Sequence, residues 1–454
     1  MYRVVISVIV SLFILSACSD TDGVEVENGE TERPIDLNIL QNPQVDLSSS
    51  HTLQRSSLRV DIAKIRSKAL SQIDDNDPTK PSPDVFILGV SFLDLNGDGK
   101  DDIFMAPGDG STRKTPVEIY INEGDGNFSL MTDQYFQGEI PGMVHARKVL
   151  KGDYDGDGKI DLFVSGHGYD QDPYVGEAPL LLLASDSGFV IEHSLDTLIG
   201  YHHGAASADI DADGDIDIFI TDMENSYFLI NDGDAHFTPD YTRTYGFQGQ
   251  KVFTTELVDV DSNGYVDLLV AGHEFQGFAS SVMWGDSTGF YSINKSTNIA
   301  EVPLYGVVVD IDAADLDSDG TKEILLTRTG DGANITLDSG AETPYFYGGY
   351  YLQLLDLNSE GKINDMTTVK FTIDNFRFTG KISSAEGEVM GLMNVWHPWM
   401  YLFDIDDDGD MDIIAMDSRV LAETFIDGDE ITDPLLIEKL ENPVWFNDGS
   451  GAFR

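Results

Sequence analysis

Apolar residues in this chain come in short runs. Ile103-Phe104-Met105, Leu162-Phe163-Val164, Ile218-Phe219-Ile220 and Leu268-Leu269-Val270 each follow an aspartate and end within two positions at a polar residue, proline or glycine. Runs this short, rich in β-branched and aromatic side chains, predict buried strands rather than helices. A second pattern follows in several places: YINEGDGNF at 120–128, LINDGDAHF at 229–237 and WFNDGSGAF at 445–453. Each reads as strand, glycine-containing turn and strand, hence a hairpin.

Immediately before the buried runs stands an acidic nine-residue segment, and it recurs. The copies are DLNGDGKDD from Asp94, DYDGDGKID from Asp153, DIDADGDID from Asp209, DVDSNGYVD from Asp259, DLDSDGTKE from Asp315 and DIDDDGDMD from Asp404. Their starts lie 50 to 59 residues apart, with one gap of 89. The repeating unit is therefore strand, acidic loop, strand and hairpin, and four short strands fill about that length in one propeller blade. The prediction is an all-β propeller of six to seven four-stranded blades. The body of the chain, 84–454, accommodates either number; the long gap must hold an insertion or a degenerate blade, and seven is preferred. Within that gap YYLQLLDLNSEGK reads as a hairpin, because no apolar run follows Asn364. The chain ends just after its last hairpin, so ring closure is expected to borrow a strand from the beginning of the body.

The region before the body reads differently. Leu58, Ile62, Ile65, Ala69 and Ile73 recur near helical spacing behind Ser56 and Ser57, which can cap a helix. The proline-rich stretch 74–84 ends it, so 56–83 is one amphipathic helix and a connector, and Arg59, Lys64, Arg66 and Lys68 give it a basic face. Residues 18–55 are polar and read as a flexible tether. The opening MYRVVISVIVSLFILSACSD has one arginine and an apolar run from Val4 to Leu15, too short for a comfortable membrane span and suited to a secretion signal over 1–17. Leu15-Ser16-Ala17-Cys18 resembles the bacterial lipobox, and Cys18 is the single cysteine of the chain. That resemblance implies lipidation of Cys18 and a bacterial envelope location. Ser19 in the following position suggests the outer membrane or cell surface, with membrane contact only through the lipid.

Composition narrows the partners. Asp plus Glu number 80 against 27 Lys plus Arg, a net charge of −53. Such a surface repels nucleic acid. A hydrophobic content of 41% excludes a disordered chain.

The acidic loops need a counter-ion, because like charges a few ångströms apart repel by about 1 kcal/mol per pair even in water. Oxygen donors at positions 1, 3, 5 and 9, with the carbonyl of position 7, form a hard cage suited to Ca²⁺, and glycine at position 6 permits the sharp turn. The candidate ligands are Asp94, Asn96, Asp98, Lys100 and Asp102 in the first loop and Asp153, Asp155, Asp157, Lys159 and Asp161 in the second. Asp209, Asp211, Asp213, Asp215 and Asp217 form the third, and Asp259, Asp261, Asn263, Tyr265 and Asp267 the fourth. The fifth has Asp315, Asp317, Asp319, Thr321 and Glu323, and the sixth Asp404, Asp406, Asp408, Asp410 and Asp412. About six calcium ions are expected. Without thiolates or imidazoles these loops do not suit zinc. An EF-hand needs an acidic residue at position 12, where this chain has Met105, Val164, Ile220, Val270, Leu326 and Ala415.

On these loops and hairpins the chain resembles the FG-GAP/VCBS repeat family, whose calcium-loop blades form β-propellers like the head of integrin α-subunits. The resemblance covers about residue 84 to the end. It implies the fold strongly and the function weakly, since fold does not dictate function.

Candidate chemistry outside the loops is sparse. No nucleophile elbow, phosphate-binding glycine loop or H-E-x-x-H zinc helix is present. The histidines are more informative. If the acidic loops join the first two strands at one face, residues just before the first strand and just after the second emerge at the other. His145, His202 and His397 lie seven or eight residues before their loops, and His167 and His273 lie six after position 9. His203, Trp396 and Trp399 join this rim. The favoured reading is a monomeric surface module binding a glycan or protein ligand through that rim. The alternatives are a polysaccharide-active enzyme, lyase-like, for which Tyr169, His202 and Arg328 are available, and a structural envelope protein.

Overall fold

The computed structural model describes residues 86–454 apart from 109–112, 125–126, 224, 247–248, 337–341, 347–349, 358–361, 373–374, 378–382, 385–386, 389–398, 404–407, 417–424, 427–428 and 431–443. Cys18, the tether and the basic helix lie outside the described residues.

The body is a six-bladed β-propeller. Blade 1 comprises β1 (Phe86–Leu93), β2 (Asp102–Gly108), β3 (Glu118–Gly124) and β4 (Asn127–Leu130), each antiparallel to the next. Blade 2 is β5 (Ala146–Gly152), β6 (Asp161–Gly166), β7 (Leu180–Ser185) and β8 (Gly188–Glu192). Blade 3 is β9 (His202–Ala208), β10 (Asp217–Asp222), β11 (Tyr227–Ile230) and β12 (Thr238–Asp240). Blade 4 is β13 (Val252–Val258), β14 (Asp267–Gly272), β15 (Ser281–Met283) and β16 (Ser296–Asn298). Blade 5 is β17 (Val307–Ala314), β18 (Glu323–Thr329), β19 (Tyr350–Leu357) and β20 (Ile363–Asp365). Blade 6 has β21 (Trp399–Phe403), β22 (Asp412–Met416) and β23 (Val444–Trp445), with Asn447 bridging Phe453 in the terminal hairpin.

The preference for seven blades is corrected to six. The long gap holds an insertion: a hairpin of Asp331–Thr336 and Glu342–Phe346 lies between β18 and β19, and after β20 Phe376–Arg377 pairs with the start of β19. Of YYLQLLDLNSEGK, Tyr350–Leu357 forms β19, which pairs antiparallel with β20 just beyond the stretch. Two short helices, Thr132–Tyr135 and Thr367–Lys370, occur among the described residues. A borrowed closing strand from before Phe86 falls outside the described residues. Closure is visible in the packing of Phe92 against Tyr401, ring to ring at 5.6 Å.

The apolar runs are uninterrupted because the second strand of each blade is covered on both sides. Successive side chains of a strand face opposite ways. Leu162 and Val164 join the core shared with blade 1 while Phe163 joins that shared with blade 3. Likewise Phe219 faces blade 4, with Ile218 and Ile220 facing blade 2. Each run thus stitches two inter-blade cores.

Every inner strand from β1 to β17 carries a register shift near its start. These fall between Ile87 and Gly89, Ala146 and Val149, His202 and Gly204, Val252 and Thr254, and Val308 and Asp310. A bulge inserts an unpaired residue and redirects its side chain. All five lie at the end of the strand away from the acidic loops, called here the opposite face.

Candidate functional site

The acidic loops cap the first-to-second strand turns. Backbone φ is positive at position 4 (Gly97, Gly156, Ala212, Ser262, Ser318) and at position 6 (Gly99, Gly158, Gly214, Gly264, Gly320, Gly409). The added Cβ at Gly158 or Gly264 would meet nothing within 4 Å, so glycine there serves conformation rather than space. Backbone amides turn inward onto the position 1 carboxylate: Gly158 N–H donates to Asp153 Oδ2 at 2.9 Å and Gly264 N–H to Asp259 Oδ2 at 2.8 Å.

Position 9 is buried and fixes the loop to the blade. Asp161 Oδ2 accepts from Tyr154 N at 2.8 Å and Oδ1 from Ala184 N at 2.7 Å. Asp102, Asp217 and Asp267 repeat the pair of bonds, Glu323 accepts from Leu316 N and Asp412 from Asn447 N. Burial, reinforced by the neighbouring carboxylates, pushes Asp161, Asp217 and Asp267 up to about 6 and Glu323 up to about 7. A cation would relieve both causes.

Positions 1, 3 and 9 converge. One carboxylate oxygen from each of Asp153, Asp155 and Asp161 lies within 4.8 Å of the others, and the same holds for Asp209, Asp211 and Asp217 and for Asp259, Asp261 and Asp267. Asp153 Oδ1, Asp211 Oδ1, Asp317 Oδ1 and Glu323 Oε1 are buried without a hydrogen bond among the described residues. Orphaned acceptors with no donor are the donor set a hard cation needs, so the loops fit Ca²⁺. Position 5 leans outward, Asp98 and Asp157 pairing with Lys100 and Lys159 at 2.7 and 2.6 Å, and Thr321 donating to Asp319. Asp215 and Tyr265 occupy the same position 7 in their loops. Asp404 and Asp406 lie outside the described residues.

Neighbouring loops are clamped together. Asn231 Nδ2 of blade 3 donates to Tyr154 O of the blade 2 loop at 2.8 Å and to Ile216 O of its own loop at 3.2 Å. Asn447 does the same in blade 6, reaching Leu316 O and Met411 O at 2.7 and 3.2 Å. These are the asparagines of the NDG hairpins.

The opposite face gathers most of the histidines. His167 stacks on Tyr201 at 5.5 Å and on His203 at 4.7 Å. His203 meets Phe253 at 4.8 Å, Phe253 meets His273 at 5.3 Å, and His273 meets Phe275 at 5.3 Å. His145 packs on His167 at 3.9 Å, and the Arg147 guanidinium sits 4.8 Å above Phe253. The result is a continuous row of rings across blades 2, 3 and 4. Arg147, His203 and Phe253 are residues that the bulges displace from regular pairing. Burial holds His167 and His203 well below the ordinary imidazole range and lowers His273 to about 4. Most of the row is buried; its end, Phe275, is 42% exposed.

His202 points elsewhere, with Nε2 3.2 Å from Tyr227 Oη and 3.9 Å from Asp222. Arg328 is fully buried in blade 5, where it pairs bidentately with Glu274 at 2.7 and 3.1 Å and donates to Gln353. Tyr169 lends its carbonyl to Tyr201 Oη. Trp396 and His397 lie outside the described residues, and Trp399 is described only as the first residue of β21. Sequence reasoning missed Asp170, Glu177, Arg147 and Phe253. The one available signal was Asp170, three residues after His167 in GHGYD.

The fold and its loops define a repeat β-propeller with an acidic cation-type turn in each blade. Within that class, residues 94–164 and 209–270 match the family model described as FG-GAP-like repeat. No curated protein matches the chain. Among solved structures, an Agrocybe aegerita lectin, described as recognising non-reducing terminal N-acetylglucosamine, is 13% identical with a TM-score of 0.37, over 82% of this chain and 90% of that one. The V. cholerae biofilm matrix protein Bap1 is 17% identical at TM-score 0.33, over 62% and 39%. A GH43 β-1,3-galactosidase is 13% identical at 0.35, over 62% and 60%. Likenesses this distant bear on neither activity nor ligand.

Proposed function

We propose that the chain is a calcium-binding envelope lipoprotein, anchored through Cys18 at the outer membrane or cell surface, whose propeller binds a glycan or protein ligand on the face opposite its acidic loops. The observation that carries this reading is the row of rings running from Tyr201 to the exposed Phe275. Aromatic faces stack on apolar sugar or side-chain surfaces, and a row fixed by packing loses little freedom on binding. The loops on the other face supply rigidity, their carboxylates committed to ions.

The test is a glycan array probed with the calcium-loaded chain, followed by titration of the best binder against the Phe275→Ala and Tyr201→Ala variants. At least tenfold weaker binding, about 1.4 kcal/mol, with unchanged calcium content supports the reading. Unaltered binding by both variants moves the site elsewhere, and release of unsaturated sugars favours the lyase. In cell fractionation Cys18→Ser should leave the membrane fraction; a variant that still sediments with membranes contradicts the lipid anchor.

A further inference from the structure

We propose that His145, His167 and Asp170 form a binding site for a divalent transition-metal ion of the zinc type, distinct in place and chemistry from the acidic loops. The three side chains are 3%, 3% and 6% exposed, and one donor atom from each lies within 4.8 Å of the other two. His145 Nδ1 stands 3.0 Å from Asp170 Oδ2, and His167 Nδ1 stands 3.7 Å from Asp170 Oδ1. A tetrahedral ion with ligands at about 2.0–2.2 Å spaces its donors about 3.3–3.6 Å apart, and the two separations, each to a different oxygen of the Asp170 carboxylate, lie on either side of that range.

A second observation points the same way. His167 Nδ1 is buried without a hydrogen bond among the described residues, while Asp170 Oδ2 faces His145 Nδ1 at 3.0 Å. Buried polar atoms are normally satisfied. Two imidazoles and a carboxylate suit zinc and its neighbours in the first transition row, whereas calcium takes six to eight oxygens.

The donors are held by the backbone. Glu177, itself buried, accepts from Val144 N and His145 N at 2.8 Å and from Gly168 N at 3.1 Å, gripping both histidine segments at once. His167 N donates to His145 O at 3.2 Å. At Gly168, φ is +78° and a Cβ would lie 2.4 Å from Val175 O, so only glycine lets the chain turn and bring Asp170 back over the two rings. Stacking of His203 on His167 fixes that ring from the other side. Three protein donors leave one position of a tetrahedral ion for water or a ligand.

The experiment uses the full chain in saturating calcium, so that the acidic loops are occupied. Cobalt(II) is titrated in and its visible absorption recorded, then displaced with zinc. The expected result is one cobalt per chain with the intense bands of a four-coordinate ion, abolished by zinc. His167→Ala and the near-isosteric Asp170→Asn should each lose the bands while calcium content and far-ultraviolet circular dichroism stay unchanged. The exposed trio Asp232, Asp234 and His236 could also take a metal, and His236→Ala should keep the signal. A folded wild-type chain without four-coordinate bands, bands that survive in Asp170→Asn, or bands lost only in His236→Ala would each overturn the proposal.

Discussion

At the scale of single residues, the asparagine of the NDG hairpin does more than turn the chain. Asn231 joins the carbonyl of Tyr154 to that of Ile216, tying the loop of one blade to the next. Replacing Asn231 by Leu removes both bonds, although Tyr154 O keeps Ala235 N as a donor at 3.0 Å, and a lost hydrogen bond costs about 0.5–1.5 kcal/mol net. Chemical denaturation of the calcium-free protein should show a loss of that size; a change below about 0.5 kcal/mol, the range of ordinary surface substitutions, would mean the clamp is dispensable. The asparagine was visible in the sequence only as part of a turn, because the partner on the other blade, Tyr154, lies 77 residues away. Asp170 escaped for a related reason. Its carboxylate is one among 80 acidic residues, and only the turn at Gly168 distinguishes it.

At the scale of elements, the strand–loop–strand–hairpin unit was legible because its two turns carry fixed chemistry: acids at alternating positions with glycine at position 6, and Asn or Asp with glycine in the hairpin. The buried second strands were legible for a different reason. Cores on both sides of β6, β10, β14 and β18 require apolar residues at consecutive positions. The blade count was not legible, since the hairpin Asp331–Phe346 and the connection after it have strand-like composition yet add no acidic loop. Nor was the row of rings. Spacing from the acidic loops puts His145, His167, His203 and His273 at one end of their strands, but the β-bulges that turn Arg147, His203 and Phe253 out of the ladder have no compositional signature. The same spacing included His202, which the ladder directs toward Tyr227 instead.

At the scale of the whole molecule, the inner strands meet in a polar network near the axis. Lys148 of blade 2 pairs with Asp310 of blade 5 at 2.9 Å, and Met400 N of blade 6 donates to the same carboxylate at 2.9 Å. Glu256 and Asp312 surround that lysine. Burial, together with the charge of Asp312, pushes Glu256 up to about 8, and burial raises Asp312 to about 6. A carboxyl whose folded value is raised contributes stability that is fully present below its unfolded value, 4.5 for Glu256, and is lost as pH rises through the folded value. The melting temperature of the calcium-free protein should therefore fall between pH 5 and pH 8, about the interval those values span. Glu256→Gln, which stays neutral, should flatten the upper part of that decline. Parallel melting curves for wild type and variant would contradict the assignment to Glu256.

The crowding of carboxylates in six loops is the central feature of the chain, and calcium is the account's answer to it. The measurement that tests this most directly is equilibrium calcium binding to the chelator-stripped chain, followed by thermal unfolding with and without the ion. About six ions per chain are expected, and a site held at 100 times its dissociation constant adds roughly 2.7 kcal/mol, so the melting temperature should rise substantially. A chain that binds no calcium and melts at the same temperature in its presence and absence would contradict it.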